Sequence, residues 1–425
     1  MSEYHFFTPC PKGVEAVLVE ELNEIANQFP ELKNIQHTLG GVHFSGTWKV
    51  AMAVNLYSRI ASRVLMLMSL QPYRHEEEIY ELTTNLPWES VITAQQTLRV
   101  DCIAHQSPLK SLAFTTLRIK DAVCDRLRVK TGSRPYVNTN NPDVRISAYL
   151  TENTITIYLD TSGEPLFKRG WRLEKGAAPL KENLAAAILR LSHWQAGQAL
   201  YDPMCGSGTF LIEAAQIALN IPPGINRYFG FEKLLIHQAD AWKNMREQAL
   251  AQHQIKCAEP SAQAALAAIT GSDISSTLLT KAKNNFTRAG ISHIALKQID
   301  ALEIERPPFE NGILLLNPPY GERILPRGKI AQSAHHPIDH ISNFTRADTS
   351  IDAHFFDQFG QILKKKFASW QIYILTSERK LPGQLRLQES RKTLIYNGAL
   401  ECRLFRFDMV AGHFQKKKPK KHERI

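Results

Sequence analysis

The sequence predicts an α/β protein: a doubly wound, mostly parallel sheet closed by a terminal antiparallel hairpin, preceded by an α+β front half. Three observations carry that expectation. From Leu180 onward, short apolar runs alternate with helical periodicities, the pattern of parallel strands joined by crossover helices. The last two strand-like runs, 393–396 and 401–407, are separated by Asn397-Gly398, a dipeptide suited to the positive φ angles of a tight hairpin. The first 170 residues mix strands and helices in another order and hold no nucleotide-binding motif.

In the front half, residues 4–8 read as a short aromatic strand. Residues 13–28 carry Val14, Val17, Leu18, Leu22 and Ile25 at helical spacing. A strand at 41–45, a helix at 48–57 and an apolar strand at 63–70 follow. A helix at 76–84, a strand at 98–104 and a helix at 112–129 come next. The Asn- and Pro-containing stretch 138–142 then breaks the chain before strands at 144–150 and 154–159. In the back half the expected strands are 199–202, 269–273, 294–298, 313–317 and 371–376, with helices between them. Two segments fit poorly as core: the Pro/Gly-opened, then helical, insertion 221–263 and the His-, Asn- and Ser-rich loop 325–350. The tail beyond Gly412, with Lys416, Lys417, Lys418, Lys420 and Lys421, is expected to be disordered. No repeat of solenoid period is present.

At 425 residues the chain exceeds the size at which a single core stops growing, so two or more domains are expected. Its net charge of +10 points to a polyanionic partner and leaves nucleic acid and anionic membrane both open. The six cysteines, Cys10, Cys102, Cys124, Cys205, Cys257 and Cys402, include no C-x-x-C pair and no Cys/His cluster. Reduced thiols and no metal site are expected. Met1 to Pro11 has neither a basic nor an apolar leader segment, and no apolar stretch is long enough to span a bilayer. A cytoplasmic protein is expected.

The first run that carries chemistry is Asp202-Pro203-Met204-Cys205-Gly206-Ser207-Gly208-Thr209, placed where a strand ends and a helix over 210–219 begins. Ligands of open α/β sheets bind at the carboxyl ends of strands, and glycine lets backbone approach them closely. A dinucleotide fingerprint would need a third glycine where Leu211 stands, and no phosphate-binding G-x-x-x-x-G-K-[ST] loop occurs. An acid before the glycines, Asp202, suits a cationic or amino-bearing ligand better than a pyrophosphate. The bland reading, a glycine-rich turn that holds nothing, weakens with the next two strands. Asp273, in Thr270-Gly271-Ser272-Asp273-Ile274, ends one and can accept both hydroxyls of a ribose. Asp300 ends the other and can face an adenine amino group. Singly each acid is more often a helix cap.

The most specific run is Leu316-Asn317-Pro318-Pro319-Tyr320, where an apolar strand stops at two prolines that fix the backbone and remove two N–H donors. Such an acceptor-rich corner matches the needs of methylating an exocyclic amine. The amine lone pair is delocalised into its ring, so the site must accept the N–H hydrogens, from the Asn317 side-chain oxygen and the Pro318 carbonyl. Tyr320 can stack on the base, worth ~1–3 kcal/mol. Alignment of donor and acceptor supplies much of such catalysis, with no metal or covalent nucleophile required. A target base in a duplex would have to be flipped out. Arg118, Lys120, Arg126, Arg128 and Lys130, with the basic tail, can steer a polyanion, although each alone reads as a solvated face residue.

In these motifs the chain resembles the THUMP-domain-containing RNA methyltransferases. The likeness is strongest to those that modify guanine N2 in bacterial 23S ribosomal RNA. It rests on Phe7-Thr8-Pro9-Cys10-Pro11-Lys12-Gly13, Leu56-Tyr57-Ser58-Arg59-Ile60-Ala61-Ser62-Arg63, Lys120-Asp121-Ala122 and Lys168-Arg169-Gly170-Trp171-Arg172. Ala178-Pro179-Leu180-Lys181-Glu182-Asn183-Leu184-Ala185 and the two motifs above, the second extended through Gly321-Glu322-Arg323, complete it.

The resemblance implies a ferredoxin-like subdomain over 1–60, a THUMP RNA-binding domain over 61–165, a class I (Rossmann-like) methyltransferase domain over 166–411 and a basic tail over 412–425. It implies S-adenosyl-L-methionine as cofactor and ribosomal RNA, or a large-subunit assembly particle, as partner. By analogy Asp202, Pro203, Cys205, Gly206, Ser207, Gly208 and Thr209 hold the methionine part, Asp273 with Ile274 the ribose, and Asp300 the adenine. Lys181 lies beside the cofactor, and Asn317, Pro318, Pro319 and Tyr320 take the target amine. Some members continue into a second methyltransferase domain; the sequence stops at Ile425, and a second activity is not expected. The Asn-Pro-Pro-Tyr corner also occurs in adenine-N6 DNA methyltransferases, so a tRNA guanine-N2 enzyme, a DNA adenine enzyme and a non-catalytic RNA-binding protein remain as alternatives.

Overall fold

A computed structural model describes residues 2–173, 180–292, 294–318 and 344–410. Two seven-stranded sheets organise the chain. The first is built from β1 (Tyr4–Pro9), β2 (Lys33–Thr38), β3 (Gly41–Gly46), β4 (Leu65–Pro72), β5 (Leu98–Ala104), β6 (Val144–Leu150) and β7 (Thr154–Asp160), in the order β2-β3-β1-β4-β7-β6-β5. Only β5 and β6 run parallel; the other neighbours are antiparallel. The β4–β7 ladder, from Leu65 opposite Asp160 to Pro72 opposite Thr154, joins the aromatic start of the chain and the strands after it into one continuous layer.

Helices α1 (Glu15–Gln28), α2 (Trp48–Tyr57), α3 (Glu76–Thr84) and α4 (Leu112–Thr131) accompany this sheet. The helical spacing read in α1 is its buried face: Val17, Leu18, Leu22 and Ile25. Helix α4 starts where the Ser111 hydroxyl accepts the Phe114 N–H and stops at Gly132, whose φ of +77° few other residues adopt cheaply. Strand β2 was not expected from sequence. Its residues, Lys-Asn-Ile-Gln-His-Thr, are almost all exposed at the sheet edge, so no buried face imposes an apolar alternation.

The second sheet comprises β8 (Leu200–Asp202), β9 (Ile269–Asp273), β10 (Ala295–Gln298), β11 (Ile313–Leu316), β12 (Gln371–Thr376), β13 (Arg391–Asn397) and β14 (Leu400–Asp408), ordered β10-β9-β8-β11-β12-β14-β13. The first five are parallel, and β14 and β13 close the sheet as the expected antiparallel hairpin with Gly398 at φ +67°. Around it lie α5 (Glu182–Leu191), α6 (Thr209–Ala218), α7 (Ala239–Ala258), α8 (Pro260–Ala267), α9 (Ser276–Arg288), α10 (Phe344–Lys366) and α11 (Leu381–Leu385). From β8 the chain winds outward to β9 and β10, then returns to β11 on β8's other side. The reversal opens a crevice at the carboxyl ends of β8 and β11, where such sheets bind ligands.

The insertion 221–263 departs from its expectation as a segment outside the core. Phe229 and Phe231 stack at 5.2 Å, and the Trp242 ring of α7 meets Phe231 edge-on at 5.0 Å. Phe231 in turn reaches Trp48 of α2 at 6.4 Å. The segment therefore fills the space between the two sheets' helices; its aromatics sit partly in loop and partly in helix, so they form no regular period. The loop expected over 325–350 already gives way to α10 at Phe344; the rest of it lies outside the described residues. Among the described residues no helix is long and apolar enough to cross a membrane.

Candidate active site

Asp202 ends β8 and is 2% exposed. Its Oδ1 accepts the Met204 N–H at 3.1 Å, which turns the chain off the sheet. Burial holds its carboxyl well above the usual carboxylate range, against the pull of that N–H and with nearby Asp273 adding to the rise. Pro203 is buried behind it, and its carbonyl accepts the Ser272 hydroxyl at 3.4 Å.

The glycine loop follows. Cys205 N–H donates to the Ser272 carbonyl at 2.9 Å and Gly208 N–H to the Cys205 carbonyl at 2.8 Å, which curls the loop against β9. Burial pushes the Cys205 thiol far up, so it is a packing group and no nucleophile. Gly208 caps α6 at φ +85°, and a Cβ there would meet the Phe286 ring at 2.8 Å. The Ser207 carbonyl is held by the Asn285 side chain at 3.1 Å, and the Thr209 hydroxyl by the Arg172 guanidinium at 2.6 Å.

Asp273 ends β9 and braces this loop directly: one carboxylate oxygen accepts the Gly206 N–H and the other the Ser275 N–H, both at 2.9 Å. Burial raises its pKa. Each oxygen keeps a second lone pair for a ligand hydroxyl. Ile274 beside it is 38% exposed. Asp300 lies two residues past β10 and turns on itself through the Leu302 N–H at 2.9 Å.

Asn317 stands just past β11, across the crevice from Asp202. Its Oδ1 is buried and has no hydrogen-bond partner among the described residues. Pro318 is buried next to it. Pro319, Tyr320, Glu322 and Arg323 lie outside the described residues, as do Ala178, Pro179 and the tail from residue 411. Lys181 is the N-cap residue of α5, with its ammonium over the Phe167 ring at 4.9 Å.

The fold thus brings Asp202, Asp273, Asp300 and Asn317 to four adjacent strand ends. This is a row of acceptors suited to a ligand rich in amino and hydroxyl donors and in positive charge. Among the described residues no three His, Cys, Asp or Glu side chains converge as a metal cluster. Arg172, Asn285 and Ser272 were missed in sequence. Their signal was a polar residue on an apolar helix face, as with Asn285 beside Leu279, Ala282 and Phe286, or an unremarkable serine within a strand.

Comparison with known proteins matches residues 5–65 to the RlmL ferredoxin-like domain, 73–160 to the THUMP domain and 169–338 to the RMKL-like methyltransferase domain. The chain is 34% identical over 418 residues to the ribosomal RNA large subunit methyltransferase K/L of Syntrophotalea carbinolica, covering 96% of this chain and 54% of that protein. It is 33% identical over 420 residues to the protein of that name from Cellvibrio japonicus, covering 97% and 52%. The chain spans about half the length of the curated relatives it matches. Among solved structures, a putative methyltransferase complexed with SAH superposes with a TM-score of 0.80 at 28% identity, over 98% of this chain and 100% of that one. A predicted N6-adenine-specific DNA methylase from Listeria monocytogenes gives 0.79 at 26%, over 96% of each.

Proposed function

We propose that this chain, whose residues match a THUMP domain and an RMKL-like methyltransferase domain, is a THUMP-domain methyltransferase that transfers a methyl group from S-adenosyl-L-methionine to the exocyclic N2 of a guanine in 23S ribosomal RNA. One observation carries the chemistry: the Oδ1 of Asn317 at the switch-point crevice is buried and has no hydrogen-bond partner among the described residues. Leaving a buried acceptor without a donor costs ~1–3 kcal/mol, a cost that an amine N–H arriving with the substrate removes. The Pro318 carbonyl is the second acceptor, so both amine hydrogens are held and the nitrogen presents its lone pair outward.

The cofactor supplies an activated methyl group, and the row of acceptors fits it. Asp202 and the loop through Thr209 receive the methionine part, Asp273 with Ile274 the ribose, and Asp300 the adenine amine. Burial raises the Asp202 carboxyl above the usual carboxylate range, and a positive ligand beside it favours the ionised form. Tyr320 would stack on the target base.

RNA as the substrate is supported by the THUMP domain and by the net charge of +10. Large-subunit ribosomal RNA as the target is supported by the names of the relatives. A large-subunit rRNA or its assembly particle in the cytoplasm would be the partner, with functional boundaries near 60, 165 and 411. A second reading, adenine N6 in DNA, is favoured by the description of the Listeria structure, since the same acceptor corner would serve that amine. Asn317→Ala tests the shared chemistry: cofactor affinity should hold within about twofold while transfer falls by about a hundredfold or more. Turnover like the wild type would remove Asn317 from the mechanism.

A further inference from the structure

Helix α6 carries the glycine loop at its N-terminus and is apolar apart from three buried residues: Thr209, Glu213 and Gln216, exposed 7%, 0% and 4%. Their spacing, i, i+4 and i+7, sets them in one stripe along the helix. Three arginines from outside the helix meet that stripe in order. Arg172 donates to the Thr209 hydroxyl at 2.6 Å and ion-pairs with Glu182 at 3.2 Å. Arg169 lies 3.3 Å from Glu213, and Arg59 lies 3.6 Å from the same carboxylate. Arg59 also donates to the Gln216 carbonyl at 3.2 Å, and Arg169 to the Arg59 carbonyl. Arg59 follows α2 of the first sheet, whereas Arg169 and Arg172 stand on the connection between the two sheets.

We propose that these arginines form a clamp in which Arg172 is a positioning residue: through Thr209 it fixes the first turn of α6, and with it the glycine loop, in the geometry that binds the methyl donor. This rests on the methyltransferase reading above. Burying guanidinium groups is expensive, and an interface needing only cohesion is served as well by apolar contacts. The same two halves are also joined by the Arg190–Glu24 ion pair between α5 and α1, which is more exposed. What the clamp adds is a fixed position for one helix.

The test is titration calorimetry of S-adenosylmethionine and S-adenosylhomocysteine on the full chain and on Arg172→Gln, Arg172→Lys, Thr209→Val, the Arg172→Gln/Thr209→Val double variant and Arg190→Gln. The clamp predicts affinity weakened about fivefold by Arg172→Gln, the scale of one lost hydrogen bond, and part of the loss recovered by Arg172→Lys, which keeps a cation and a donor. Thr209→Val, which preserves shape, reproduces the weakening even if Arg172→Gln does not fold, and the double variant loses no more than the worse single one. Arg190→Gln binds like the wild type. Arg172→Gln at wild-type affinity, single losses that multiply in the double variant, or equal weakening by Arg190→Gln would overturn the clamp alone. A wild-type chain that binds neither ligand overturns the methyltransferase reading and the clamp with it.

Discussion

Replacing Glu213 with alanine removes the carboxylate that stands against the guanidinium groups of both Arg59 and Arg169. The Arg169 side chain is 2% exposed and the Arg59 side chain 12%, so water cannot take over the lost charge. Carbonyl oxygens of Leu166, Arg59 and Gln216 still accept from them and soften the loss. Burial already lowers the Arg59 pKa to about 10 with Glu213 in place as the main opposing influence, so its removal leaves a charge that the fold tolerates poorly. Breaking one partner out of a buried ion cluster costs ~3–5 kcal/mol. The urea midpoint, followed by tryptophan fluorescence, should therefore drop by roughly 1–5 M for a slope of about 1–3 kcal/mol/M. Glu213→Gln, which keeps the shape and an acceptor, should fall between. A loss below about 1 kcal/mol, the scale of an exposed pair such as Arg190–Glu24, would refute the claim that the stripe is a buried electrostatic joint.

Two further outcomes follow from other parts of the molecule. Phe231→Ala, at a side chain 0% exposed among Trp48, Phe229 and Trp242, should cost ~3–5 kcal/mol in the same melt; a loss within 1 kcal/mol would return residues 221–263 to the periphery. Asp202→Asn should change the pH dependence of stability. Burial raises the folded carboxyl above its unfolded value, so as pH climbs past ~4 the unfolded chain releases its proton first and wild-type stability falls, by at most about 1.4 kcal/mol per pH unit, until the folded group ionises. Asp202→Asn lacks that decline, so ligand-free urea midpoints at pH 5 and pH 7 should show the variant gaining on the wild type with rising pH; parallel midpoints would contradict the buried carboxyl.

What was legible in sequence follows from burial. Strands β8, β11 and β12 are covered on both faces, so they read as apolar runs between turns, and the ends of β8, β9 and β11 pointed to Asp202, Asp273 and Asn317. The hairpin was written in Asn397-Gly398. Edge strand β2 lacks a buried face and was invisible. The β4–β7 pairing that fuses the front half into one sheet is a long-range ladder, beyond any local pattern. The stripe on α6 appeared only as polar interruptions of an apolar helix, whose meaning depends on arginines 37 to 157 residues away along the chain. Lys181 was assigned through the resemblance, and the structure seats it on Phe167.

The most direct test of the account is methyl transfer from labelled S-adenosylmethionine into unmodified large-subunit rRNA, bulk tRNA and DNA in parallel, with the modified nucleoside identified by mass spectrometry. N2-methylguanosine in the rRNA and no label in DNA are expected. N6-methyladenine in DNA, or no label in any of the three despite cofactor binding, would contradict the proposed function.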